Sequence, residues 1–238
     1  MKIPKTRYAR APDGTSLAYQ VFGEGDVDLL YVSGWLSHLE VFWELPQFAS
    51  FMRHLGTLAR VVTFDKRGVG LSDRAVRLPD LETMMGDVRT VLDAIGSKRS
   101  ILFGLSTVGG GPCAVYAASF PERTLAFVWW EAGARVAWAP DYPWGLTEED
   151  QAQSEALYAG GWGDEQSGAD VLRDCGCLSI ADVPNARDWV SKLSRYSAGP
   201  AGVRELNEMW QATDVRGVLS SIHVPTLVTT RYANGEAA

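Results

Sequence analysis

Short apolar runs, each closed by glycine or polar residues, alternate along this chain with stretches of helical period. The first two, Thr6 to Ala11 and Ser16 to Phe22, are strand-like and joined by Pro12-Asp13-Gly14, a turn signal, so the chain opens as a hairpin. Asp28 to Val32 is the next strand and ends at Ser33-Gly34. Phe48, Phe51, Met52, Leu55 and Leu58 recur at helical spacing and predict a helix over Leu45 to Leu58. Val61 to Phe64 is a strand leading into Asp65-Lys66-Arg67-Gly68-Val69-Gly70-Leu71-Ser72-Asp73-Arg74. Leu81 to Ile95 is a helix with Met85, Val88, Val91, Leu92 and Ile95 as its buried stripe and Gly96 as its stop. Ser100 to Leu105 is a strand and about Gly111 to Phe120 a helix; Leu125 to Trp130 and Pro225 to Thr229 are the last strands.

Strands that are apolar throughout and alternate with helices bury both faces in a parallel sheet. The expected class is therefore α/β, a mostly parallel sheet with helices on both faces. Right-handed crossovers place the carboxyl ends of its strands on one edge, where sites in such sheets form. Between Trp138 and about Ser221 the strand pattern is missing. An aromatic, proline-broken loop, Ala137 to Gly145, is followed by helical stretches at Glu148 to Tyr158, Asp188 to Tyr196 and Ala201 to Ala212. The expected organisation is a core of residues 1–137 and 222–238 with a helical cap, 138–221, inserted into it. Such insertions commonly line a substrate entrance.

Composition narrows the function classes. With 238 residues, 46% of them hydrophobic and 21% charged, the chain can bury one substantial core. A formal net charge of −7 and the lack of a basic block argue against nucleic acid as a partner. No run approaches the roughly 18–20 apolar residues of a bilayer span, so no membrane association is expected. Met1 to Arg7 carries charge with no apolar stretch behind it, unlike a secretory signal. Cys113, Cys175 and Cys177 are too few for a disulfide framework, and Cys175-Gly176-Cys177 has no cysteine or histidine partner at metal-ligand spacing. A cytoplasmic protein with free thiols and no metal site is the expectation.

The candidate chemistry centres on Gly104-Leu105-Ser106, delivered at the end of an apolar strand. A tight strand-to-helix turn there would expose the Ser106 hydroxyl above the sheet edge. The following amide, that of Thr107, would face a developing oxyanion near the helix amino terminus. A second amide is expected from the loop after Asp28–Val32, with the Trp35 N–H as the best placed. The alternative is a serine and glycines in an ordinary turn. Trp144, Trp162, Trp189 and Trp210 are read as packing residues of the cap, Trp144 also as a lining for an apolar acyl pocket.

Several stretches together resemble the α/β-hydrolases, in particular bacterial hydrolase units sometimes found beside nucleotide-cyclase domains. They are Thr6-Arg7-Tyr8-Ala9, Leu17-Ala18-Tyr19-Gln20-Val21, Gly34-Trp35-Leu36-Ser37-His38-Leu39-Glu40 and Phe64 to Arg74, then Pro121-Glu122-Arg123, Ala137 to Gly145 and Val224-Pro225-Thr226-Leu227-Val228. The resemblance implies hydrolysis of small carboxylic esters by a serine–histidine–acid triad, without metal or organic cofactor. Two departures accompany it. The elbow reads Ser106-Thr107-Val108-Gly109-Gly110-Gly111-Pro112, with Val108 where the family has glycine and one extra residue before Pro121-Glu122-Arg123. Ser106 keeps its place if the extra residue precedes the helix; otherwise Val108 stands at the nucleophile position. After Val228 the family's aspartate, final strand and histidine have no counterpart, and Asn234 stands roughly where the acid belongs.

The resemblance puts Glu131 at an alternate acid position of this fold, the other reading being a simple loop carboxylate, and His38 belongs to a loop that approaches the site. His38 is read either as a substitute base or as an ordering group for that loop. His54 and His223 are read as structural or solvated, and Asp65, Arg67 and Asp73 as a cluster that fixes its own turn. Two functional readings follow: a serine hydrolase with an incomplete triad, or a degenerate hydrolase unit that binds a ligand or partner. Pro225–Thr229 is expected at a sheet edge, where a homodimer could join.

Overall fold

A computed structural model describes residues 3–74, 79–159, 161–164, 168, 171, 183, 185–230, 232–233 and 236–237. One sheet is built from β1 (Arg7–Arg10), β2 (Ser16–Phe22), β3 (Asp28–Val32), β4 (Arg60–Phe64), β5 (Ser100–Leu105), β6 (Thr124–Trp130) and β7 (Thr226–Thr229). Its strand order is β1-β2-β4-β3-β5-β6-β7. The opening hairpin pairs antiparallel, β2 joins β4 antiparallel, and β4, β3, β5, β6 and β7 run parallel. A separate two-residue ribbon pairs Tyr232–Ala233 with Glu236–Ala237.

The pleat sorts the core into two layers, because successive strand residues face opposite ways. Leu30 and Val32 of β3, Val62 and Phe64 of β4, and Leu102 of β5 face one side. They meet Val88, Val91 and Leu92 of α2 (Leu81–Ala94) and Cys113, Ala114, Tyr116 and Ala117 of α3 (Ser106–Ser119). Leu29, Tyr31, Val61 and Phe103 face the other, under Met52 of α1 (Pro46–Leu58). There Tyr31 meets Phe48, Phe51 and Phe103 edge-on at ring separations of 6.2, 6.0 and 5.5 Å. Such pairs add about 0.5–1.5 kcal/mol each beyond area burial. Met85 and Ile95, expected in the buried stripe of α2, are partly buried at its margin.

Between β6 and β7 the described elements are helical: α4 (Glu148–Ala159), α5 (Ala186–Ser197), α6 (Pro200–Ala212) and the short α7 (Arg216–Leu219). The helical segment joins the sheet domain through an apolar cluster. In it Ala198, Leu206 and Met209 pack on Val69, Met84 and Val108, with Trp35 and Leu36 at the margin. The Trp189 indole donates to the Val41 carbonyl at 2.8 Å, tying α5 to the turn Val41–Glu44 before α1. Trp144 does not pack as expected: it is 73% exposed, and its ring contact is with Tyr142 in its own loop. The Cys175-Gly176-Cys177 run lies outside the described residues.

The largest correction concerns α3. Gly109-Gly110-Gly111-Pro112 reads as a loop by local propensity, yet the helix begins at Ser106. The reason is proximity to the sheet. A Cβ at Gly109 would lie 2.6 Å from the Ser33 carbonyl oxygen, and one at Gly110 would overlap the Trp129 indole. Tertiary contact has selected residues that intrinsic helix propensity disfavours. At the far side β7 is an edge strand whose Leu227 and Val228 are 58% and 61% exposed, in accord with the expected open edge.

Gly110→Ala gives this packing a sign. In an ordinary helix interior the change stabilises by about 0.5–1 kcal/mol. Here overpacking against Trp129 costs about 1–3 kcal/mol, so a net fall of a few degrees in melting temperature is expected by calorimetry or circular dichroism. Unchanged or raised stability would show that the indole yields freely.

Candidate active site

Ser106 sits at the junction of β5 and α3 with φ at +55°, a left-handed conformation that side chains rarely adopt. Of the two registers raised by the extra residue, Ser106 is the residue in the strained position at the strand end. Val108 lies two residues into α3, 1% exposed, and fills the contact with Ala198, Leu206 and Met209. Glycine is unnecessary at Val108 because the close approach to the sheet falls at Gly109 and Gly110 instead.

Three contacts hold the turn. The Trp129 indole N–H, reaching from β6, donates to the Ser106 carbonyl oxygen at 2.8 Å. The slot for this indole is the one that Gly110 leaves open. On the other side, a Cβ at Gly34 would lie 3.3 Å from the Ser106 hydroxyl oxygen, so the loop after β3 runs directly against the serine. Above, the Thr107 hydroxyl meets Gly133, where an added Cβ would lie only 2.6 Å away. Ser106 and Thr107 open a helix whose first N–H groups have no intrahelical partner, and Trp35 follows Gly34 in the adjoining loop. The structure thus gathers the three residues expected from sequence, Ser106, Thr107 and Trp35, at one end of β3 and β5.

Glu131 is one residue past β6 and also has φ at +55°. Leu105 pairs with Trp130 in the β5–β6 register, so Ser106 and Glu131 leave neighbouring strands side by side. His38 is 7% exposed; its Nδ1 accepts from the Val41 N–H at 3.3 Å and its ring meets Tyr196 at 5.5 Å. Its ring nitrogen is bound into its own loop, and among the described residues no hydrogen bond joins it to Ser106. His54 and His223 are exposed. Asn234 lies outside the described residues.

The polar run after β4 works differently from expectation. The side chains of Asp65, Arg67 and Asp73 do not bond one another, although Asp65 does brace backbone within the turn at Leu71; all three also tie the turn to other segments. Asp65 accepts from the Leu39 and Leu71 N–H groups at 3.2 and 2.9 Å, and burial pushes its carboxyl up against those bonds. Arg67 spans Asp87 on α2 at 2.5 Å and Asp13 in the opening hairpin at 2.7 Å. Asp73 accepts from the Ser16 N–H at 2.7 Å.

Lys66, between them, is missed by the sequence reading. It is 4% exposed and donates to the Ser33 carbonyl at 3.1 Å, the Ser33 hydroxyl at 3.1 Å and the Gly34 carbonyl at 2.5 Å. Burial pulls its ammonium down to about 8, opposed by Asp65. Strand alternation was the available signal, since Val62, Phe64 and Lys66 fall on one face. The indole of Trp129 carries the same kind of signal beside Phe127.

The chain belongs to the alpha/beta hydrolase fold family, whose model matches residues 29–230. It is 26% identical to 3-oxoadipate enol-lactonase 1 of Acinetobacter baylyi over 215 residues, 90% of this chain and 74% of that protein. A bifunctional esterase/perhydrolase of Acinetobacter calcoaceticus is 31% identical over 121 residues, 50% of this chain and 41% of that protein. Among solved structures, an esterase from Exiguobacterium antarcticum superposes with a TM-score of 0.73 at 22% identity, covering 94% of this chain and 80% of that one. These structural likenesses establish the fold. No helix among the described residues is long and apolar enough to cross a membrane.

The left-handed serine yields a comparison of equal-sized changes. Ser106→Gly accepts φ of +55° without strain, whereas Ser106→Ala keeps it. The glycine variant is expected to be the more stable of the two by about 1 kcal/mol in denaturant melts. Equal stability would mean that the backbone here relaxes once the hydroxyl is gone.

Proposed function

We propose that this protein hydrolyses small carboxylic esters, cyclic esters included, through Ser106. The observation that carries the reading is the left-handed Ser106 at the β5–α3 junction with its hydroxyl oxygen against Gly34. Strain of this kind is characteristic of a nucleophile presented on a sharp turn. In the proposed step the Ser106 oxygen attacks the acyl carbon, the Trp35 and Thr107 N–H groups receive the developing oxyanion, and the alcohol leaves as the acyl-serine forms. Water then releases the acid and restores the hydroxyl. Esterases and an enol-lactonase among the relatives support this choice of substrate class. The helical segment over Val108 serves as the cap that keeps water from the site.

The second reading, a hydrolase unit that binds without turnover, is favoured by one observation: His38 is committed to Val41 and Tyr196. The two readings divide on the acceptor of the Ser106 proton. Glu131 leaves the neighbouring strand beside Ser106 and is the acid that the register offers. A fluorophosphonate probe read by intact mass separates them. One adduct on the wild type, absent from Ser106→Ala, is the expected result; no adduct on folded protein would select the binding reading.

We also propose that two copies associate along β7, whose exposed Leu227 and Val228 leave the edge open to a further strand. Light scattering over a concentration series should show a dimer that Val228→Lys dissolves. A monomer throughout would end this proposal.

A further inference from the structure

The loop that leads from β3 to Trp35 is held by its side chains at one end, where Trp35 and Leu36 pack in the apolar cluster and the Trp35 ring meets Trp162 at 5.8 Å. Ser33-Gly34-Trp35 contains a glycine at the residue touching the serine, and a glycine leaves its flanking peptide planes free to turn. The grip on the Ser33 and Gly34 backbone comes from the neighbouring strand end. Lys66 lies two residues past the end of β4, and its ammonium is buried beneath the loop. Its three N–H donors match three acceptors there: the Ser33 carbonyl, the Ser33 hydroxyl and the Gly34 carbonyl.

The Gly34 bond matters most. The Gly34 carbonyl and the Trp35 N–H belong to one planar trans peptide unit and point in opposite directions. Holding the oxygen at 2.5 Å from a buried ammonium therefore sets the direction of the N–H on the far side of the plane. A cation on the carbonyl also polarises the peptide, which makes its N–H a stronger donor in a low-dielectric setting. A neutral residue would supply geometry alone.

We propose that Lys66 is a positioning residue: by gripping the Gly34 carbonyl it aims and polarises the Trp35 N–H toward the oxyanion formed at Ser106. This rests on the reading of Ser106 as nucleophile. The titratable groups acting on Lys66 are Asp65 on its own strand end and Cys113 on α3, whose thiol burial keeps protonated; the loop above it contributes only carbonyls and a hydroxyl. Burial lowers Lys66 to about 8, so the cation is present below that pH and is lost as pH rises through it.

The test combines two readouts on wild type and Lys66→Met. The first is the kinetics of fluorophosphonate labelling, resolved into a first-order constant and an apparent affinity. The second is hydrogen exchange of the peptide covering 33–39, expressed as protection relative to the β5 and α3 peptides. In Lys66→Met the first-order constant should fall at least about tenfold with affinity nearly unchanged, because one donor loses its aim rather than its place. Protection of 33–39 should fall by a similar factor. In wild type alone, protection of 33–39 should decline as pH passes about 8, an arm that survives if the variant does not fold.

Equal labelling constants and equal protection in a folded variant would overturn the proposal. So would wild-type protection that stays flat through that pH range. If the wild type takes no label while its loop protection follows Lys66, the grip of Lys66 on the loop stands and the nucleophile reading falls.

Discussion

The first turn of α3 lies so close to the sheet that two consecutive positions, Gly109 and Gly110, have no room for a side chain. Much of the site geometry follows from that approach. It brings the helix start over the ends of β3 and β5, where the chain makes its left-handed turn at Ser106. It opens the slot through which the Trp129 indole reaches the Ser106 carbonyl. Shifted by one residue from the family spacing, it also frees Val108 to take a side chain, which packs under Ala198, Leu206 and Met209. A single close contact therefore sets the serine, its hydrogen-bonded support and the seat of the helical segment.

The end of β4 supplies a second organising device. Asp65, Lys66 and Arg67 are consecutive, and they serve separate partners: the 39 and 71 amides, the 33–34 carbonyls, and the carboxylates of Asp13 and Asp87. Burying Asp65 and Lys66 costs several kcal/mol per ion before compensation. The compensation is directional, since Asp65 accepts N–H groups from loop backbone and Lys66 meets carbonyls. Apolar residues of equal volume would give stability without direction. Fixed loop carbonyls and amides are what a preorganised polar site needs.

Most of the fold was legible because its strands and helices obey their periods. Ser100–Leu105 coincides with β5, and Leu81–Ile95 differs from α2 by one terminal residue. The failures have physical causes. The start of α3 was hidden because Gly109, Gly110, Gly111 and Pro112 answer to the sheet and not to helix propensity. Trp144 was assigned to packing on residue type alone, and type says nothing of which way a loop turns it. The placement of Ser106, Thr107 and Trp35 near one end of the sheet was readable because each follows a strand end. Lys66 was not, because a lysine beside a glycine turn usually reads as solvated; only its parity with Val62 and Phe64 marked it as inward.

The electrostatic half of this site is made of backbone. On the proposed reading, the amides of Trp35 and Thr107 receive negative charge, and their placement depends on Gly34, Lys66, Trp129 and the helix start. The proton-transfer half depends on a separate group. The two halves are therefore independent in construction, and a chain that loses its base keeps its oxyanion donors. This is why an active hydrolase and a binding unit remain so close in structure: both need the same strained turn and the same clamped loop. The turn at Ser106 is costly for either. A binding unit gains nothing from a strained serine unless its ligand carries the oxygen that the two amides are arranged to meet, and that favours an acyl or anionic ligand even where turnover is slow.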